Sequence, residues 1–212
     1  MRIDSTALTT GQPIPVRFDL GKPDPTRHVT FSDNLNPPLA WADLPAGTRS
    51  LALIVHDPDV PSRGDDVNQV GRVVPAELPR VDFFHCVLLD LLPDGPAIAE
   101  GELSRGVTAH GKGREAAAPR GRAGINDYTA WFAGDADMKG DYLGYDGPCP
   151  PWNDSLVHHY HFTLYALDVA RAPIEGRFDG RAARAAIAPH VLASAELVVT
   201  YAINPEARPR QR

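Results

Sequence analysis

Apolar residues in this chain come in short dense runs, and several of those runs end on titratable side chains. Residues 50–55 lead into His56-Asp57-Pro58-Asp59-Val60-Pro61. Residues 82–91 carry His85 near their start, and residues 158–168 open with His158-His159-Tyr160-His161. Runs rich in β-branched, aromatic and Leu residues between turn formers predict strands over 50–56, 83–91, 158–168 and 195–203. One helix is predicted over 181–187, Ala-rich, after Phe178-Asp179-Gly180 and with Pro189 close to its end. A second short turn is expected over 190–194. The 21 Pro and 18 Gly are spread along the chain, as in a sheet-rich domain with long connections. Residues 93–151 show no clear periodicity, apart from the aromatic stretch 126–132. A stretch of that length is either functional or poorly ordered.

Strands separated by long loops, with helix only near the C-terminus, predict a mainly β fold: an antiparallel β-sandwich with one short C-terminal helix. A parallel α/β fold would need regular crossover helices, and none is visible. We expect a single domain over 1–204 and a flexible basic tail over 205–212, where Arg208, Arg210 and Arg212 cluster.

Composition narrows the function. With 43% hydrophobic and 23% charged residues the chain is ordinary for a globular protein. A net charge of −6 and no Lys/Arg block in the body argue against nucleic acid and anionic membrane surfaces as partners. No run approaches membrane-spanning length and the N-terminus has no apolar leader, so a cytoplasmic protein without an integral membrane segment is expected. Two cysteines, Cys86 and Cys149, are too few to staple the domain and are not spaced for metal.

A buried strand that ends on Asp or His incurs a desolvation cost there, so such ends are candidates to converge on a site. Strand alternation puts Leu51, Leu53, Val55 and Asp57 on one face, and His158, Tyr160, Phe162 and Leu164 on another. Phe83, His85, Val87 and Leu89 would share a face opposite Phe84, Cys86 and Leu88. Asp57, His85, His158 and Tyr160 then project into one mouth, walled by Phe83 and the Pro150-Pro151 step. Plainer readings stand beside this one. Asp57 and Asp59 suit an ordinary turn, a lone His85 suits a hydrogen-bonded structural role, Phe83 and Phe84 suit the core, and both thiols suit core or inert surface.

Asp57-Pro58-Asp59-Val60-Pro61, Phe83-Phe84-His85 and Gly147-Pro148-Cys149-Pro150-Pro151 with His158-His159-Tyr160 resemble the phosphatidylethanolamine-binding protein family. The resemblance is to its bacterial Raf-kinase-inhibitor-like branch. It runs from about residue 30 to 201 and is supported by Asn36-Pro37-Pro38-Leu39-Ala40-Trp41 and by residues 160–168. It implies a β-sandwich with a small anion-binding pocket at one end, and ligand-binding roles for Asp57, Asp59, Phe83, His85, Pro150, His158 and Tyr160. His159 stands where many members have Arg, and Phe83 where many have Trp. Residues 62–80 and 102–142 look longer than in compact bacterial members, so they are candidates to cover the mouth.

The expected function is therefore binding of a small anionic or phosphorylated ligand through charge-assisted hydrogen bonds, with regulation of a kinase or other protein partner as an extension and a homodimer as one assembly. No cofactor, no metal and no catalytic residue is expected. The alternative is a hydrolase or metal-dependent enzyme using Asp57, His85 and His158 as a two-His, one-carboxylate set.

Overall fold

The computed structural model describes residues 1–209. Among them the strands and helices follow in the order β1 (Arg2–Asp4), β2 (Gly21–Asp24), β3 (His28–Phe31), β4 (Ala40–Ala42), β5 (Ser50–Pro61), β6 (Arg80–Leu91), α1 (Arg114–Ala117), β7 (Arg122–Ala123), α2 (Tyr128–Trp131), β8 (His158–Leu167), α3 (Gly180–Ile187) and β9 (Val191–Tyr201). The central sheet has the order β7-β6-β5-β8-β9, antiparallel throughout, while β1 pairs with β4 and β2 with β3. The fold is mainly β, as the turn-punctuated runs predict.

Residues 51–55 are all buried because this antiparallel sheet is covered on both faces. On one face Leu51, Leu53, Val55, Cys86, Leu88, Tyr160, Phe162 and Leu164 pack with Ile14, Phe18, Leu39 and Tyr145. On the other, Ala52, Ile54, Phe84, Val87 and Leu89 pack with Phe178 and with Ala183 and Ile187 of α3. The Asp179 carboxylate caps α3 by accepting the Ala182 N–H at 2.8 Å. Gly180 is required at its start, since a Cβ there would lie 2.2 Å from the Phe84 ring.

These faces correct the alternation expected for β6. Val87 and Leu89 lie with Phe84, opposite Cys86 and Leu88, and not with His85. The reason is a β-bulge: Val55 pairs with Cys86 and His56 with Phe84, so His85 is the extra residue. A bulge re-aims one side chain and reverses the alternation beyond it. Here the re-aimed side chain is His85.

Two other expectations also change. The short turn expected over 190–194 lies earlier, as a 3-10 turn over Ala188–His190, and β9 begins at Val191, where pairing with Leu167 and then Ala166 satisfies the backbone. The supposed free tail is tied down through Arg208, whose N–H donates to the Ser155 carbonyl at 2.8 Å and whose carbonyl accepts the Val157 N–H at 2.9 Å. Residues 210–212 lie outside the described residues. The outer edge of β9, the open edge that would suit a homodimer, is partly covered by residues 11–14, which hydrogen-bond to Val198 and Thr200.

Candidate functional site

At one end of the sheet, a cavity of about 400 Å³ opens between β5, β6, β8, α2 and the loops that follow β5 and precede β8. Asp57, Phe83, His85, Pro150, His158 and Tyr160 all line it. Asp59 does not. Its carboxylate turns to His159, accepting the backbone N–H at 3.0 Å and bonding Nδ1 at 2.8 Å. The turn reading of Asp-Pro-Asp also holds, because Asp57 Oδ1 accepts the Asp59 N–H at 2.8 Å. Asp57 is thus a turn residue and a cavity residue together.

The floor is a chain of alternating charges. Arg80 donates to the Asp154 carboxylate at 2.6 and 3.1 Å. His158 Nε2 bonds Asp154 Oδ2 at 3.1 Å and Nδ1 bonds Asp57 Oδ2 at 2.7 Å. Both side chains of the Arg80–Asp154 pair are almost wholly buried. Burial alone would lower the His158 pKa, but the Asp57 charge and the Asp154 hydrogen bond override it and raise it to about 10. Burial likewise works against the Asp57 and Asp154 anions, yet their histidine partner, with Arg80 at Asp154, holds both below the usual carboxylate range. The four groups sum to zero, and each ring nitrogen of His158 already donates to a carboxylate.

His85 is placed differently. Its Nδ1 lies 2.8 Å from the Asp146 main-chain carbonyl, and its Nε2 is buried with no partner among the described residues. The Tyr160 hydroxyl is also buried, with no partner in full hydrogen-bond geometry; Asp57 lies close enough to act on it by charge and by a weak hydrogen-bond contact. Burial lowers the His85 pKa, opposed by the Asp57 charge and the Asp146 carbonyl. Burial and the phenol's neighbours, Asp57 first, push Tyr160 well above its usual value. The two rings meet edge to face, 5.3 Å between centroids.

The remaining walls are largely apolar: Leu20, Val29 and Phe31 on one side, Tyr128, Trp131 and Phe132 on another. Both long segments singled out in the sequence contribute, residues 62–68 through Arg63, Gly64, Val67 and Asn68, and the other through α2 and Phe132. Cys149 joins the wall with its thiol pushed up to about 12 by burial, so it is no thiolate.

Sequence reasoning missed Arg80, Asp154, Asp146, Tyr128 and Arg63. Only Asp154 carried a usable signal, standing four residues before His158 beside Asn153 in a polar knot. Asp146 acts through its carbonyl, which no side-chain pattern reveals. Its carboxylate serves elsewhere, bonded by Lys112 at 2.7 Å, Asn34 at 2.9 Å and Asn126 at 2.8 Å.

A sheet covered on both faces, with a half-apolar cavity floored by a buried acid–imidazole chain, defines a class of ligand-binding β protein. The profile of phosphatidylethanolamine-binding proteins matches residues 4–202, and the chain belongs to that family. It is similar to a UPF0098 protein of Chlamydia muridarum, 32% identical over 184 residues that cover 87% of this chain and 93% of the relative. Escherichia coli YbhB, also a UPF0098 protein, is 27% identical over 84% of this chain and 90% of its own. The crystal structure of E. coli YbcL, described as a member of the mammalian PEBP family, superposes with a TM-score of 0.65 at 21% identity. It covers 95% of this chain and 97% of YbcL, a likeness of fold.

Proposed function

We propose that the cavity binds a small oxyanion, phosphate- or carboxylate-bearing, and that the protein acts as a binding or regulatory module in the cytoplasm. The observation that carries this is the pair His85 Nε2 and Tyr160 Oη: both buried, both on side chains that line the cavity, neither with a partner in full hydrogen-bond geometry. Buried polar atoms in folded proteins nearly always have partners, so a ligand that bonds both is the simplest account of leaving two bare side by side.

His158 takes another role from the one its sequence position suggests. With both ring nitrogens committed to carboxylates it donates nothing to a ligand; it supplies a permanent positive charge beneath the cavity and fixes Asp57. Arg63, at the mouth and paired only loosely with Asp65 at 3.7 Å, is the cation best able to meet an incoming anion. A protein partner would be engaged by the same chemistry, its phosphorylated side chain entering past Phe31 and Trp131, which are 52% and 53% exposed.

The enzyme reading has weaker support. A metal set of Asp57, His85 and His158 needs a lone pair on His158, and both are spent. Among the described residues, no group of three or more His, Cys, Asp or Glu is arranged to hold a metal ion.

Isothermal titration of the protein with phosphorylethanolamine at pH 6 tests the proposal. Saturable one-site binding is expected, weakened roughly tenfold in Tyr160→Phe, about the loss of one hydrogen bond to a charged group. Binding that is absent, or unchanged in Tyr160→Phe, would overturn it.

A further inference from the structure

A carbonyl oxygen only accepts hydrogen bonds. The 2.8 Å contact between His85 Nδ1 and the Asp146 carbonyl therefore fixes the proton of neutral His85 on Nδ1. Nε2, the unpartnered nitrogen of a ring that lines the cavity, then carries a lone pair. A bare dianion meeting that lone pair is repelled, whereas a ligand oxygen that carries a proton donates to it.

From this tautomer, and resting on the oxyanion reading above, we propose that the site selects oxyanions that bring their own proton. The ligand class is hydrogen phosphate and phosphate monoesters, in preference to sulfate, sulfonate and carboxylate. The P–OH donates to His85 Nε2, and the Tyr160 hydroxyl donates to a second phosphate oxygen. Phosphate retains a dissociable proton near neutrality, with a second pKa of about 6 for phosphate monoesters. Sulfate and carboxylate have none there, so they bind only when solvent protonates His85.

The surroundings of His85 make that protonation unfavourable. Asp57 acts on it from β5, and the Tyr160 and Tyr128 rings meet it from β8 and α2, with His158 on the far side of Asp57; Asp127 and Asp146 lie close enough to act on its charge. Among the described residues Asp57 is the one carboxylate lining the cavity, and its charge is answered by His158. The Asp146 carboxylate is answered by Lys112, and Asp127 by Arg181 at 3.4 Å. Little net negative potential is left to hold an imidazolium against burial. Proton and phosphate thus enter together, with the proton shared along the line from Nε2 to the ligand oxygen.

Two readouts test this on the intact protein. The first is the ring nitrogen-15 spectrum of His85 at pH 7 without ligand, assigned with His85→Gln: Nδ1 protonated and Nε2 unprotonated is expected. A proton on Nε2 would overturn the proposal whatever binds. The second is calorimetric titration with inorganic phosphate and with sulfate at pH 7 and pH 5. At pH 7 phosphate should bind at least about tenfold more tightly, sulfate suffering the loss of one hydrogen bond to a charged group. The gap should narrow at pH 5, and His85→Gln, whose amide N–H needs no added proton, should bring the ratio near one. Equal affinities at pH 7 in the wild-type protein would overturn the selectivity alone. No binding of either anion at any pH would overturn the oxyanion reading, and this inference with it.

Discussion

β5 and β8 carry histidines on opposite faces of one sheet: His158 on one face, His56 and His161 on the other, with His158 and His161 three residues apart along β8. On the cavity face His158 lies between Asp57 and Asp154, and its pKa rises to about 10. On the other face His56 lies against His161, its directly paired neighbour, with ring centroids 5.1 Å apart. There burial first, then the Arg184 charge, lower the pKa to about 4. The same side chain, wholly buried at 158 and half-buried at 56, becomes a fixed cation in one place and a fixed neutral ring in the other. What differs is contact: two carboxylates bond His158 directly, whereas at His56 an arginine and a second imidazole work against the more distant charges of Asp82 and Glu196. A histidine in a strand motif therefore says nothing by itself about charge.

The largest effect should come from breaking the cavity face. Asp154→Ala strips His158 Nε2 and the buried Arg80 guanidinium of their shared partner. Removing one member of a buried ion pair costs about 3–5 kcal/mol, and a denaturant midpoint should show it. Loss of under about 1 kcal/mol, the range of exposed pairs, would mean that the chain of charges is not a buried network.

Next in size is the pH profile, where the two faces predict opposite slopes. The His158 pKa is raised above its unfolded value of about 6.5, so its contribution is complete below that pH and is lost as pH climbs towards 10. His56 is lowered, so the folded state binds fewer protons than the unfolded state between about 6.5 and 4, and stability falls as pH drops through that window. His56→Leu should flatten the acid limb of stability against pH and leave the alkaline limb unchanged. An unaltered acid limb would contradict the assignment.

Asp19 offers a sharper case on the alkaline side. It is wholly buried, its two oxygens have no partner in full hydrogen-bond geometry among the described residues, and burial, opposed by a weak hydrogen-bond contact from Tyr201, raises its pKa to about 9. The folded state keeps a proton that the unfolded state loses above about 4, so Asp19 weakens the fold as pH rises to 9. Asp19→Asn should gain stability relative to wild type across that span, by about 1–3 kcal/mol near neutrality, the cost of an unsatisfied buried group. Chemical unfolding at pH 5 and pH 8 would show the gap widening, or refute it by showing none.

The smallest expected effect belongs to the helix that covers the His56 face. Asp179→Ala removes the cap on α3 and should cost about 1 kcal/mol in thermal or chemical unfolding. Phosphate binding should be unaffected, because α3 packs on Phe84 and touches nothing in the cavity.

Legibility in the sequence followed physical range. Period-two alternation sufficed to place Asp57, His158 and Tyr160 together, since β5 and β8 pair without a bulge between Ser50 and His56. The same rule failed on β6, where the bulge at His85 reverses the faces. His85 still reached the cavity, and Val87 and Leu89 did not follow it. The motif Asp-Pro-Asp marked two acids, of which only Asp57 faces the cavity. Asp59 reads identically until His159 is seen beside it. Arg80 and Asp154 are 74 residues apart, and nothing local to either announces the other. The tautomer of His85 depends on a main-chain carbonyl, which every residue possesses. Strand alternation and motif therefore located the site, and long-range pairing decided what each group in it can do.

The most direct test of that account is a crystal structure of the protein soaked in phosphate. It should place phosphorus in the cavity with one oxygen about 2.7–3.2 Å from His85 Nε2 and another at similar range from Tyr160 Oη, and His158 still bonded to Asp57 and Asp154. Phosphate bound directly to His158, or seated away from His85 and Tyr160, would contradict it.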